Sequence, residues 1–83
     1  MKLTVRYFAS VREAIGLGLE AMQSEARTAG ELRDELIARG GPYASSLARG
    51  KALRLSLNQL MCDDDAPLSS GDEVGIFPPV TGG

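Results

Sequence analysis

The side chains that usually do chemistry are scarce in this sequence. It contains no histidine, so the commonest general base and the commonest zinc ligand are both missing. Ser45-Ser46 and Ser69-Ser70 have no imidazole to activate them and read as linker and turn. The one cysteine, Cys62, falls in a predicted strand with nothing basic beside it, which describes a small buried hydrophobe better than a nucleophile or a sulfur relay. Asp63-Asp64-Asp65 lacks the spaced ligands and closing glutamate of a calcium loop, so it reads as a solvated acidic loop, and no metal site is expected. What remains is the end of the chain, Pro78-Pro79-Val80-Thr81-Gly82-Gly83, and the carboxylate it carries.

A carboxylate is a poor electrophile and must be activated, usually as an acyl-adenylate, before a nucleophile such as sulfur can be installed on it. The reacting carbon then has to enter a narrow active site belonging to another protein. Gly82 and Gly83 have no Cβ, so this end is thin and free in its backbone angles. Pro78 and Pro79 are stiff and are expected to hold the base of the tail extended, away from the globule. Six residues beyond Phe77 reach roughly 20 Å when extended. A diglycine by itself would be an ordinary loose terminus. A closing strand, two prolines and a diglycine with nothing after it are a more specific combination. The chain accordingly divides into a domain over residues 1–77 and a tail over residues 78–83.

The elements that must position this tail are legible in outline. Leu3, Val5 and Tyr7 alternate with Thr4, Arg6 and Phe8, as in a strand with one buried face. Ser10 with Glu13 has the spacing of a capping box for a short helix that stops at Gly16, and Leu19, Ala21 and Gln23 suggest a second strand returning beside the first. Thr28 with Glu31 is a second capping box. Behind it Leu32, Leu36 and Ile37 form an apolar stripe, with Arg33, Asp34 and Arg39 predicted outward and Gly40-Gly41-Pro42 as the stop. Tyr43 to Gly50 reads as a connector with some helical character around Ala44 to Ala48. Leu53, Leu55 and Leu57 alternate again, a tight turn at Asn58-Gln59 leads to a short strand Leu60-Met61-Cys62, and Glu73 to Phe77 is the last strand. Pairing should end at the prolines, which cannot donate ladder hydrogen bonds. If the first and last strands are central and parallel, this order is an α+β β-grasp (ubiquitin-like) fold, a mixed four- to five-stranded sheet with one main helix across one face.

Bulk properties agree with a single small domain, since 83 residues leave little room for a deep cleft. Nine basic and eleven acidic residues, mixed along the chain, give a net charge of −2 and no basic stripe, so nucleic acid is not an expected partner. The longest apolar run is far shorter than a membrane span, and Met1-Lys2-Leu3-Thr4-Val5-Arg6 alternates instead of forming a signal-peptide core. A lone cysteine fits a reducing compartment. A cytoplasmic protein without membrane attachment is expected.

These residues together resemble the small, sulfur-carrying subunit of molybdopterin synthase. The resemblance runs the full chain. It includes Val5-Arg6-Tyr7-Phe8-Ala9-Ser10-Val11-Arg12-Glu13, the Leu57-Asn58-Gln59 turn and Pro67-Leu68 before Gly71-Asp72-Glu73-Val74, and it ends on Phe77-Pro78-Pro79-Val80-Thr81-Gly82-Gly83. Gly75, where that family usually carries a larger residue, and Leu60-Met61-Cys62 are departures. The resemblance implies that Gly83 is adenylated by an E1-like activating enzyme that uses ATP, and is then converted to a thiocarboxylate. It implies further that Gly82 gives access, and that the tail inserts into the large catalytic subunit of a heterotetramer, where sulfur passes to precursor Z (cyclic pyranopterin monophosphate) in molybdenum cofactor biosynthesis. No bound cofactor and no activity of this chain alone are implied. A ubiquitin-like protein modifier and the sulfur carrier of thiamine biosynthesis use the same fold and tail and stay open as alternatives, as does a plain interaction domain.

Strand parity indicates where partners would dock. Val74 and Ile76 share the core face, so Phe77 points away from it. Phe8 and Met61 fall on the same outward side, and parallel first and last strands would bring Phe8 and Phe77 together where the tail leaves. An apolar patch there, continued by Pro78, Pro79, Val80 and Thr81, is the predicted partner-binding surface. The competing reading packs one or more of these side chains under a loop. Arg12 and Arg54 could contribute rim contacts, although solvated charge is the simpler role for each.

Overall fold

The computed structural model describes residues 1–79. The elements follow as β1 (Lys2–Tyr7), α1 (Ala9–Ile15), β2 (Leu19–Gln23), α2 (Ala29–Ile37), α3 (Gly41–Leu47), β3 (Arg54–Leu57), β4 (Leu60–Cys62) and β5 (Glu73–Phe77). One five-stranded sheet has the order β2-β1-β5-β3-β4. β1 and β5 are parallel neighbours at its centre, in register from Thr4 opposite Glu73 to Tyr7 opposite Ile76, and the other three pairings are antiparallel. This is the β-grasp arrangement. Among the described residues no helix is long and apolar enough to cross a membrane.

The expected alternation of β1 and β5 sets the core. Leu3, Val5 and Tyr7 of β1, Val74 and Ile76 of β5 and Leu55 of β3 are buried against Val11, Leu32, Leu36 and Leu47 of the three helices. Among the described residues no helix covers the other sheet face. Thr28 caps α2 as its sequence spacing predicts: its hydroxyl oxygen accepts from the Glu31 N–H at 3.2 Å, while the Glu31 carboxylate reaches back to the Arg27 N–H at 3.0 Å. Gly16 ends α1 in the left-handed conformation (φ 88°), its N–H donating to the Arg12 carbonyl. Asn58 and Gln59 both take positive φ (50° and 71°), the pair of angles a two-residue hairpin turn requires.

Three sequence expectations are corrected. The Ser10–Glu13 box does not form: α1 starts at Ala9 with Phe8 in the capping position, its carbonyl accepting from Val11 and Arg12, so Ser10 lies inside the first turn. Gly40-Gly41-Pro42 does more than stop α2, because Gly40 and Gly41 turn the chain and Pro42 begins the helix α3, where a proline lacking an N–H is tolerated. α2, nine residues long, is the main helix expected across this face, with the seven-residue α1 and α3 beside it. Arg33 faces inward, not outward, and is only 5% exposed. Its Nε donates to the Leu47 carbonyl at 2.8 Å and its Nη2 to the carbonyls of Ala48 and Lys51, which ties the α3–β3 connection to α2. β2 forms where Leu19, Ala21 and Gln23 suggest it; these three are exposed, and Glu20 and Met22 are turned toward the helices. Glu20 is accommodated there by Arg39 (2.6 Å) and the Tyr43 hydroxyl (2.8 Å). Burial acts to raise its carboxyl pKa, but these hydrogen bonds outweigh burial and hold it below the usual value.

Candidate functional site

The uncovered face is organised in cross-strand rows. One row runs Arg6, Gly75, Ser56, Met61, and the next brings Phe8, Phe77 and Arg54 to the end of the sheet where β5 finishes. Phe8 follows β1 directly, its N–H donating to the Ile76 carbonyl at 3.1 Å, which keeps β1 and β5 joined one residue past the last paired position. Its ring stacks on that of Phe77 with centroids 4.2 Å apart and planes 5° from parallel. Both are half-buried. Parity arguments therefore placed the two aromatics correctly, and the structure brings them into direct contact.

Around this pair the surface mixes apolar and charged groups. On this face Met61 is 58% exposed on β4 and Leu19 53% exposed on β2, whereas Leu60, 74% exposed, pairs with Leu57 and belongs to the helix-side row. Arg6, one row from the aromatics, forms an ion pair at 3.5 Å with half-buried Glu73, and Arg54 lies opposite Phe77. Leu60 and Leu19 were not singled out in the sequence. Leu60 sits in a strand of three residues where parity has little length in which to register, and β2 is too weakly patterned to show a face.

Pro78 and Pro79 do not stand clear of the globule as expected. They line a groove of about 540 Å³ with Ser10, Val11 and Ala14 of α1 and with Ser46, Lys51 and Leu53. Pro78 is half-buried in it and Pro79 exposed at its rim. The base of the tail is thus packed between α1 and the start of β3. Val80, Thr81, Gly82 and Gly83 lie outside the described residues.

Residues set aside in the sequence have structural roles. Cys62 is half-buried; burial, then the negative charges of Asp63, Asp64 and Asp65, push its thiol pKa up, away from a reactive thiolate. Asp64 pairs with Arg49, which also bonds Asp34 at 2.7 Å, and its carbonyl accepts from the Gly30 N–H at 2.8 Å. Asn58 links the β3–β4 turn to the start of β5: its Nδ2 donates to Asp72 at 3.0 Å, and its Oδ1 accepts from the Glu73 N–H at 2.9 Å. The Arg12 side chain lies against Gly18.

Comparison with known proteins adds to this geometry. The model of the ThiS family matches residues 5–83. Over 81 residues the chain is 40% identical to the molybdopterin synthase sulfur carrier subunit of Escherichia coli (strain K12), and 37% identical to that of Haemophilus influenzae (strain ATCC 51907 / DSM 11121 / KW20 / Rd). Each alignment covers 98% of this chain and 99% of the relative. The solved protein–protein complex of subunits 1 and 2 of molybdopterin-converting factor from Helicobacter pylori 26695 contains a chain 27% identical to this one, with a TM-score of 0.69 and full coverage of both chains.

Proposed function

The chain belongs to the ThiS family, within it to the molybdopterin synthase sulfur carrier subunits, and from that premise we propose that its working group is the carboxylate of Gly83. In this reading an ATP-using, E1-like activating enzyme adenylates Gly83: a carboxylate oxygen attacks the α-phosphorus and pyrophosphate leaves. A sulfide-level donor then displaces AMP to give the thiocarboxylate. The charged tail enters the large catalytic subunit, and the sulfur passes to precursor Z (cyclic pyranopterin monophosphate). This chain supplies the reactive atom and its partners supply the catalysis.

The observation that carries the proposal is the stacked Phe8–Phe77 pair at the end of β5, immediately before the prolines that begin the tail. A carrier of this size has to be recognised through its surface. Two half-buried parallel rings beside the exit point, with exposed Met61 in the neighbouring row, form a compact apolar patch with a charged rim, the composition expected of a docking site. A partner gripping that patch would hold the start of the tail at a fixed distance from its own active site, so that only residues 78–83 have to thread.

The test is the intact mass after incubation with activating enzyme, ATP and a sulfur source. Replacement of one oxygen by sulfur is expected, and it should be lost when Gly83 is deleted or followed by one further residue. An unchanged mass, or an isopeptide-linked ladder on other proteins, would overturn the assignment; the ladder would indicate a protein modifier.

A further inference from the structure

Gly75 is the one position of β5 where the strand has no side chain, although its row lies on the surface side of the sheet. Its backbone does not explain this, because Gly75 is not among the glycines with positive φ. A glycine inside a strand weakens it and commonly marks a close approach by a neighbour. Here the approach is threefold. A Cβ built on Gly75 would stand 3.2 Å from Phe77 Cε1 and 3.2 Å from Phe8 Cε2, and it would overlap Ser56 Oγ from the adjoining strand. Both rings therefore lean back across one row and lie over the bare glycine, which explains why Gly75 is itself buried on a face without helices.

We infer that Gly75 is a positioning residue for partner docking: by leaving an empty slot it lets Phe8 and Phe77 lie flat and parallel at the tail exit, and so fixes the pose in which the pair meets its partner. The inference rests on the docking role proposed above. A methyl group at residue 75 has to lift both rings by a few tenths of an ångström, and Phe77 is covalently next to Pro78, so the start of the tail moves with it. Ser56 sets a separate constraint on the same slot. Rotating or removing its hydroxyl relieves the overlap with the sheet neighbour and leaves the two ring contacts in place. Strain within the sheet and ring displacement can therefore be separated.

The experiment compares wild type, S56A, G75A/S56A and F77A for melting temperature, for the ring-proton NMR shifts of Phe8 and Phe77, and for affinity to the large synthase subunit. Expected for G75A/S56A relative to S56A are a melting temperature close to that of S56A, displaced ring shifts, and binding about tenfold weaker. Binding equal to S56A while F77A binds weakly would overturn the role of Gly75 and leave the docking reading in place. F77A binding as tightly as wild type would overturn the docking reading and the inference with it. A G75A/S56A protein with ring shifts identical to S56A would overturn the inference without reference to any partner.

Discussion

The two faces of the central sheet are made by the same strands and differ in almost everything else. On the covered face Leu3, Val5 and Val74 are at most 1% exposed, locked against three helices, and have no freedom to meet another molecule. On the uncovered face the alternate residues of β1 and β5 are Arg6, Phe8, Gly75 and Phe77, and the aromatics satisfy each other by stacking because no helix lies over them. Period-two geometry makes the sheet a divider: one set of side chains stabilises the fold, and the intervening set is free to serve recognition. For a small carrier this separation matters. The docking patch proposed for it could be changed without loss of the core, and the core damaged without touching that patch.

The strongest way to break the comparison is from the covered side. Leu32→Ala removes a fully buried side chain of α2 and should cost about 2–5 kcal/mol of stability. In a domain of this size much of the population would unfold, and thermal melting would show it. Any protein still folded should bind its partner normally. Phe77→Ala should behave in the opposite way, losing about 2 kcal/mol of affinity for the large subunit as a buried aromatic anchor is truncated, with a smaller loss in melting temperature. A Phe77→Ala protein that melts early and binds well would place Phe77 with the core and erase the distinction between the faces.

Arg33 tests the comparison at a different point, since it is a charged residue on the covered side. Arg33→Met keeps the apolar stem but removes the side-chain donor from the carbonyls of Leu47, Ala48 and Lys51; Ala48 and Lys51 keep backbone donors in the Lys51 and Leu53 N–H groups, so the loss falls chiefly on Leu47. The expected cost is about 1–3 kcal/mol of stability. Hydrogen-exchange protection should fall first in the segment 47–53. Leu53 and Lys51 border the groove that holds Pro78 and Pro79, so this is the one substitution on the covered side expected also to disturb the base of the tail. Uniform loss of protection across the whole chain would show that Arg33 does not act locally.

How much of this was legible in the sequence depended on whether the signal was local. The Thr28 cap, the Asn58-Gln59 turn, the alternation of β1 and β5 and the pairing of Phe8 with Phe77 each follow from residues a few positions apart. The parallel register adds one assumption, and that assumption held. Arg33 was misread because a helical wheel places a charge outward by default. The carbonyls that draw it inward belong to a turn 14 to 18 residues away. Helix α3 shows in the sequence only as some helical character around Ala44 to Ala48, because glycine and proline signal a break, and the same Pro42 serves equally as the first-turn proline of a new helix. The face of β2 is not legible locally, because Glu20 is turned toward the helices, where Arg39 and Tyr43, both distant in sequence, receive it. The slot at Gly75 was visible as a glycine in a strand, but only the structure identifies the rings that fill it.

The smallest predicted effect concerns Asp72, at the opposite end of β5 from the aromatic pair. Its carboxylate accepts from Asn58 Nδ2 and from the Ser69 N–H at 2.8 Å, and these bonds, Asn58's the larger, hold its pKa below the ordinary value of 3.8. A carboxyl whose folded pKa is depressed contributes stability that is fully present above the unfolded value and is lost as pH falls through the folded one. The clasp between the β3–β4 turn and β5 should therefore hold at neutral pH and weaken only below about pH 4. The side chain is exposed, so solvent screening keeps the contribution below about 1 kcal/mol. Asp34 and Glu20 are also depressed, so acid will destabilise the whole domain; only the difference between wild type and Asp72→Asn isolates this clasp. That difference in melting temperature should shrink as pH falls from 6 to 3, while the ring shifts of Phe8 and Phe77 stay fixed. Parallel melting curves would remove Asp72 from the account, and ring shifts that move with Asp72 would show that the two ends of β5 are coupled, so that the recognition face is not independent of what stabilises the fold.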